Sequence, residues 1–438
     1  MNPIENLHSS RSPVTAELAA QPLPRMLKAR QRFRGPEVAD VAAAVRQELD
    51  RVNLGGRFAP GAKVAITCGS RGISSIAAVA AAIVAEVRRH GGEPFVVPSM
   101  GSHGGATAEG QVGILAEIGV TEEAVGAPIR ATMEVVELGR LPRGMPVYMD
   151  KHAAAADAII LLNRIKPHSP WGHIGSGLMK VSTIGLGKQI GCNTIHAWTI
   201  GTAQLYHTIV EAYQFVRQRK PIILGVGIID NAYARPARIV ALTPDEIPAL
   251  EPGLRREADA LVARFPFPEI DVLVLDEMGK NTSPGGVDPL VVGRPKVDPD
   301  GNPIAGQPQI KRVVVLSLTA QSHGNAIGLG NVDVITRRLA SQIDFYSTYM
   351  NAMSACNVDA VRLPMALSSD REAIQMAALS CGLAARERLR LVRARNTLQI
   401  DEFYLSEALV PQLADLPQVE LLGEPEPLPF DAEGNLLR

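Results

Sequence analysis

Residues 63–98 read KVAITCGSRGISSIAAVAAAIVAEVRRHGGEPFVVP, and this stretch decides the fold class. Lys63–Thr67 (KVAIT) and Glu93–Pro98 (EPFVVP) are short runs that are apolar at successive positions, so both faces of each strand need cover. Between them, Ile73–His90 is Ala-rich, carries Arg88 and Arg89 in its last turn and is followed by Gly91-Gly92, the pattern of a helix with a C-terminal stop. Runs of the same kind recur at Asp157–Leu162, Pro221–Ile229, Asp271–Leu275, Arg312–Leu318 and Asp359–Leu367. Helical patterns lie among them at Ala108–Ile118, Thr199–Gln218, Leu254–Ala263, Asp333–Ser341 and Ser369–Leu383. Alternating strand and helix predicts an α/β fold with mostly parallel sheets and helices on both sheet faces.

The chain has 438 residues, two to three times the usual single-domain length of roughly 100–200. Arg264–Glu269 (RFPFPE) carries two prolines and predicts the boundary, giving domains at 1–265 and 266–410. The tail, 411–438, mixes prolines with apolar pairs and is expected to pack back on the first domain. An active-site cleft between the two domains follows, because polar clusters fall on both sides of residue 265.

Composition excludes several classes. Hydrophobic residues are 46% and charged residues 20%, with 44 Lys+Arg against 45 Asp+Glu, which argues against disorder, a coiled coil and a nucleic-acid-binding surface. The longest apolar run, Ile76–Val84, is far below the roughly 18 residues that span a bilayer, and the polar start MNPIENLHSSRS is not a signal peptide. A cytoplasmic protein with no membrane partner is expected. Cys68, Cys192, Cys356 and Cys381 are far apart, leaving neither a disulfide framework nor a local metal cluster.

In open α/β sheets ligands bind beyond the carboxyl ends of the strands, and this chain loads those ends. After KVAIT comes Cys68-Gly69-Ser70-Arg71-Gly72, and after EPFVVP comes Ser99-Met100-Gly101-Ser102-His103-Gly104-Gly105. After DAIILLNRI comes Lys166-Pro167-His168, then Gly175-Ser176-Gly177-Leu178-Met179-Lys180, with His196 sixteen residues beyond Lys180. After DVLVL comes Asp276-Glu277-Met278-Gly279-Lys280-Asn281. Glycine-rich loops cost backbone entropy unless close approach or positive φ is needed. Lys180 lies in an apolar, glycine-rich stretch, the setting of a desolvated amine rather than a surface lysine. Arg71, at a strand-to-helix turn, is placed to hold a carboxylate or phosphate bidentately. His8, His90, His152 and His207 read as structural.

TCGSRGIS also resembles a nicotinamide dinucleotide fingerprint. Gly69 and Gly72 are too close for it, Ser74 replaces its last glycine, and the chain has no Tyr-x-x-x-Lys pair. A nicotinamide-dependent dehydrogenase is therefore the weaker enzyme reading. A non-catalytic nickel- or nucleotide-binding protein is the alternative outside catalysis, and a dehydratase or lyase acting on a hydroxy acid stays open within it.

Taken together, GSRG, PSMGSHGGATAEGQ, KPH, the Lys180 to His196 spacing and DEMGKN resemble the lactate racemase family, over roughly residues 15 to 410. The resemblance implies a racemase or epimerase that inverts C2 of a small 2-hydroxy acid by reversible hydride transfer. It implies a nickel pincer nucleotide (pyridinium-3,5-bisthiocarboxylic acid mononucleotide nickel) as cofactor and cofactor-synthesis enzymes as partners. Residue by residue, Lys180 corresponds to the family's tethering lysine and His196 to its nickel ligand. His103 and His168 correspond to the acid/base pair, Arg71 to the substrate-carboxylate arginine and Lys280 to a second-domain substrate lysine. Gly175, Ser176 and Gly177 offer main-chain amides to the cofactor phosphate. The chain departs from the lactate-specific pattern, reading Cys68-Gly69-Ser70-Arg71 for an acidic D-H-x-R loop and Gly104 for arginine. It also has a longer stretch from His168 to Lys180, containing Trp171 and His173. These departures imply an enzyme that is not lactate-specific, with a substrate whose side chain is different or larger.

Overall fold

The computed structural model describes residues 22–70, 75–167, 175–200, 202, 204–283, 285–294, 296, 307–382 and 388–437. It is α/β, with two main sheets that are mostly parallel and helices interleaved between strands. The chain divides into two compact units. One is Arg34–Val262 with Met353–Cys356, and the other takes the described residues before Arg34 together with those of Ala263–Ala352 and Asn357–Arg438.

Strand β1 (Met26–Gln31) belongs with the later part of the chain. The next seven strands lie in the Arg34–Val262 unit: β2 (Lys63–Cys68), β3 (Glu93–Pro98), β4 (Val135–Arg140), β5 (Pro146–Asp150), β6 (Ala158–Arg164), β7 (Ile222–Asp230) and β8 (Pro236–Leu242). Five of them form a sheet in the order β3-β2-β6-β7-β8, parallel except for the last pair. β4 and β5 make a separate antiparallel hairpin.

Alternation along the strands divides their apolar side chains between two cores. Ala65, Phe95, Val97, Ile159 and Leu161 face one. Val64, Ile66, Val96, Ile160 and Leu162 face the other, together with Ile76, Val79, Ile83 and Val87 of helix Ile76–Arg89. The first face is covered by helices Leu205–Arg217 and Glu246–Ala260 through Ile209, Tyr213, Val216, Ile247 and Leu254. Sheet growth turns at β2, which has β3 on one side and β6 on the other. The carboxyl ends of these three parallel strands therefore lie side by side, at the topological switch point where such sheets bind ligands.

The second unit adds β9 (Glu269–Leu275), β10 (Gln309–Val315), β11 (Val334–Thr336), β12 (Met365–Leu367), β13 (Leu391–Ala394), β14 (Glu402–Ser406) and β15 (Val419–Leu421). Its eight-stranded sheet runs β12-β11-β10-β9-β13-β14-β1-β15, parallel as far as β13 and antiparallel beyond. The expected division at 265 thus misses one exchange. β1 pairs with β14 and β15, so the tail joins the sheet of the second unit rather than the body of the first. Leu428 and Leu436 of the tail fill the core formed by Met26, Val272 and Val274.

Candidate active site

The loop after β3 is wound by four residues with positive φ, Gly101 (60°), Gly104 (68°), Gly105 (63°) and Ala106 (56°). Gly104 is required twice over, because a Cβ there would lie 2.4 Å from the carbonyl carbon of Gly110. Half-buried His103 sits inside this turn. Its Nδ1 is 2.5 Å from Ser70 Oγ, the hydroxyl just beyond β2. Gln111 holds the same turn from behind, its Nε2 donating to the Gly101 carbonyl at 2.8 Å and the His103 carbonyl at 3.3 Å.

The turn rests on the segment between Lys180 and His196. Gly101 N donates to Gly185 O at 3.2 Å, and a Cβ on Gly101 would sit 3.5 Å from Cys192 Cβ. That segment is a turn at Leu178–Lys180, a wider turn at Val181–Gly185 and helix Lys188–Thr199. Cys192 and His196 are one turn apart, on one face of the helix. Burial pushes the His196 imidazole down to about 4, and the Lys180 ammonium pushes in the same direction. The ring is therefore neutral near pH 7 and keeps a lone pair for a metal. Burial pushes the Cys192 thiol up to about 11 despite the opposing Lys180 charge, which leaves it an inert packing group.

Lys188 ties these pieces together. Its side chain is fully buried and its φ is +53°, unusual for a residue with a Cβ. Nζ donates to the Pro98 carbonyl at the end of β3 and to Gln111 Oε1 at 3.0 Å, and it pairs with Asp150 Oδ2 at 3.1 Å. Of the three donors of an ammonium, two are hydrogen-bonded here, and the Asp150 carboxylate balances the charge at ion-pair distance. Asp150 in turn accepts from the amides of His152 and Ala153 at 2.8 and 3.0 Å, capping the next helix.

Of the expected phosphate cradle Gly175-Ser176-Gly177, the Ser176 amide has a protein partner. Ser176 N donates to Lys166 O at 2.8 Å. The amides of Leu178 and Met179 donate to one oxygen of Glu251, Oε2, at 2.8 and 3.0 Å. Glu251 is buried, and burial raises its carboxyl to about 7 against the pull of those two amides. A Cβ on Gly175 would fall 1.8 Å from Lys166 O, so this glycine serves the close crossing of two backbones. Three amides near the expected cradle thus already have protein partners.

In the second unit Lys280 follows β9. Its Nζ donates to Asn351 Oδ1 at 2.6 Å and its amide to Ser322 Oγ at 2.8 Å. Arg71 and His168 lie outside the described residues. Cys68, just before Gly69-Ser70, is fully buried, and burial pushes its thiol up to about 12, so it is uncharged near neutral pH.

The structure therefore brings His103, Lys180 and His196 into one neighbourhood, with Ser70, Gln111 and Lys188 as supports that the sequence reading did not single out. Ser70 and Gln111 stand inside motifs already quoted, GSRG and the glycine-rich stretch ending in Gln111. Glu251 carries no local signal, since it precedes Pro252 within a helix and finds its partners 72 and 73 positions away.

Residues 11–205 match the family model described as lactate racemase N-terminal domain. Among solved structures the chain is similar to the lactate racemase apoprotein from Thermoanaerobacterium thermosaccharolyticum, at 12% identity and a TM-score of 0.45, over 74% of this chain and 80% of that one. No curated protein matches. No helix among the described residues is long and apolar enough to cross a membrane. The match thus marks residues 11–205 as similar to a lactate racemase N-terminal domain.

Proposed function

We propose that the chain is an isomerase, a racemase or epimerase that inverts C2 of a small 2-hydroxy acid without being specific for lactate, using a nickel pincer nucleotide. The observation that carries this reading is the seating of the His103 turn on the segment bounded by Lys180 and His196, through Gly101 N to Gly185 O. A candidate proton acceptor, a candidate tether and a neutral imidazole thereby share one edge of the sheet.

The residues suit the cofactor. Nickel accepts imidazole as a donor, and burial, the larger cause of its lowered pKa, keeps His196 neutral, so His196 would hold the metal. Half-buried Lys180, at the end of its turn, supplies the amine for a covalent tether. The pincer nucleotide, when bound, supplies a hydride acceptor, so that C2 passes through a planar keto acid rather than a carbanion beside a carboxylate.

The chain's own groups then have simple tasks. His103 takes the hydroxyl proton of one enantiomer, and His168 does the same for the other from the opposite face. Arg71 holds the substrate carboxylate bidentately, and Lys280 binds the substrate from the second unit. Gly175, Ser176 and Gly177 bind the cofactor at its phosphate through main-chain amides. Cys68 and Gly104 replace an acid and an arginine of the lactate pattern. The loss of both charged side chains supports a substrate with a different or larger side chain.

The test uses protein from a host that also makes the cofactor, with nickel content measured, and a panel of C2-deuterated 2-hydroxy acids. Inversion with deuterium kept at C2 is expected. Complete washout to solvent, or no inversion of any panel member by nickel-loaded protein, overturns the reading.

A further inference from the structure

We propose that Glu251 is the positioning residue of Lys180, capping from a separate helix the turn Leu178–Lys180 that presents the lysine to the cofactor. The inference rests on the reading of Lys180 as the cofactor tether for its meaning, and on hydrogen bonds whose donors are main-chain amides for its geometry. Helix Glu246–Ala260 turns Ile247, Glu251, Leu254 and Ala258 toward the protein interior, the spacing of one helical face. Ile247, Leu254 and Ala258 join the apolar core there. Glu251 puts a carboxyl group into that stripe, and burying one costs stability unless it is hydrogen-bonded. What it gains is the start of the Lys180 turn, since Oε2 accepts from the amides of Leu178 at 2.8 Å and Met179 at 3.0 Å.

Those amides have no cap of their own. The first amides of any helical turn lack a partner within it, and a Ser, Thr, Asp or Asn at the preceding position ordinarily supplies one. Here that position is Gly177, which provides no side-chain cap, and a Cβ on it would fall 2.4 Å from Glu251 Oε1. The local cap is thus replaced by one brought in on another helix. Neighbouring carbonyls are fixed as well. Asn163 Nδ2 donates to the Gly177 carbonyl at 2.9 Å, and the hydroxyls of Ser182 and Thr183 donate to the Met179 carbonyl at 2.8 and 3.0 Å. Leu178 and Met179 are themselves buried in the core. The backbone therefore arrives at Lys180 already ordered, and that freedom is not lost again when the amine meets a ligand. Glu251 acts through the backbone and takes no part in bond formation.

The experiment makes the parent, Glu251→Ala, Glu251→Gln and Leu254→Ala in a host that also makes the cofactor, and reads the fraction of each that carries the covalent mass increment under denaturing conditions. Leu254→Ala is the control for lost packing, since it opens the same core from the same helix and removes no hydrogen bond. The modified fraction should fall at least about 10-fold in Glu251→Ala, and stay within about twofold of the parent in Leu254→Ala and in Glu251→Gln, which keeps an acceptor. In the apoproteins, amide exchange followed by NMR should be at least about 10-fold faster at Leu178 and Met179 in Glu251→Ala, and as in the parent in Glu251→Gln. If Glu251→Ala does not fold, Glu251→Asp takes its place, with a carboxyl group one methylene short of the amides and the same two outcomes expected. A modified fraction within about twofold of the parent in that variant overturns the proposal, as does an equal loss in Leu254→Ala or Glu251→Gln, or unchanged exchange at both amides. An unmodified parent, in a host proven to load a known lactate racemase, overturns the tether reading instead, and amide exchange still decides the Glu251 cap.

Discussion

Lys188 Nζ and Asp150 Oδ2 lie 3.1 Å apart with neither side chain exposed to solvent. The pair closes a path from the cap of helix Lys151–Ala154, through Gln111, to the carbonyls of Gly101 and His103. Burial lowers the Lys188 pKa, and Asp150 opposes that shift. Taking away one member of a buried pair strands the other, which costs about 3–5 kcal/mol. Lys188→Met should therefore lower unfolding free energy by about that amount in urea titrations. Asp150→Asn combined with Lys188→Met should cost less than the two single changes added, because no charge is then left alone. A loss below about 1 kcal/mol in Lys188→Met would show that the network bears no load.

Glu251 gives a pH dependence with a definite sign. Its folded-state pKa is raised to about 7 from 4.5, chiefly by burial. The folded state thus binds a proton more tightly than the unfolded chain does. The resulting stability is fully present below about 4.5 and is lost as pH rises through about 7. Glu251→Gln keeps an acceptor for the amides of Leu178 and Met179 and cannot ionise. Relative to this variant, the parent should lose on the order of 3 kcal/mol between pH 4.5 and pH 8, read from urea midpoints. A flat difference across that range would show that the carboxyl is not perturbed.

How much of this was legible depended on whether the signal was local. β2 and β3 were readable because both their faces are buried from the second residue on, so beyond Lys63 and Glu93 the two strands are apolar except for Thr67. Helix Lys188–Thr199 was not, since KQIGCNTIHAWT scatters Gly, Thr and Ile among polar residues and holds its shape by packing Cys192 and Ile195 into the core. Helical pattern was expected unbroken over Thr199–Gln218, yet one helix ends at Thr199 and the next starts at Leu205. The run Asp359–Leu367 gives only Met365–Leu367 as strand, because Pro364 lacks the amide a strand would use. β1 finds β14 some 370 positions away, and no local pattern could reveal that pairing. His103 was legible as a site residue from its glycines, while Lys188 and Glu251 became visible only through partners distant in sequence.

Gly104 and Gly105 form a natural pair for separating strain from packing. Both have positive φ, 68° and 63°, so alanine at either costs about 1–2 kcal/mol in backbone strain. Only Gly104 also meets backbone, at 2.4 Å from the Gly110 carbonyl carbon, whereas a Cβ on Gly105 has nothing within 4 Å. Gly104→Ala should be clearly more destabilising than Gly105→Ala in the same urea titration. It should also weaken activity, because the collision displaces the turn that carries His103. Equal losses would place the cost in φ alone.

The two expected cofactor contacts should separate cleanly on a mass spectrometer. Lys180 ends a short turn whose amides are anchored on Glu251, and His196 lies sixteen residues on, in the following helix. The first offers a bond-forming amine and the second only a lone pair. In protein from a cofactor-making host, Lys180→Ala should lose the covalent mass increment altogether. His196→Ala should keep the increment under denaturing conditions and lose nickel under native ones, since removing the imidazole takes away one metal donor and leaves the tether intact. An unmodified mass for parent and variant alike, in a host proven to load a known member of the family, would remove Lys180 from the proposed site. Loss of the increment in His196→Ala would mean instead that metal binding precedes attachment, and the two residues would then act in series.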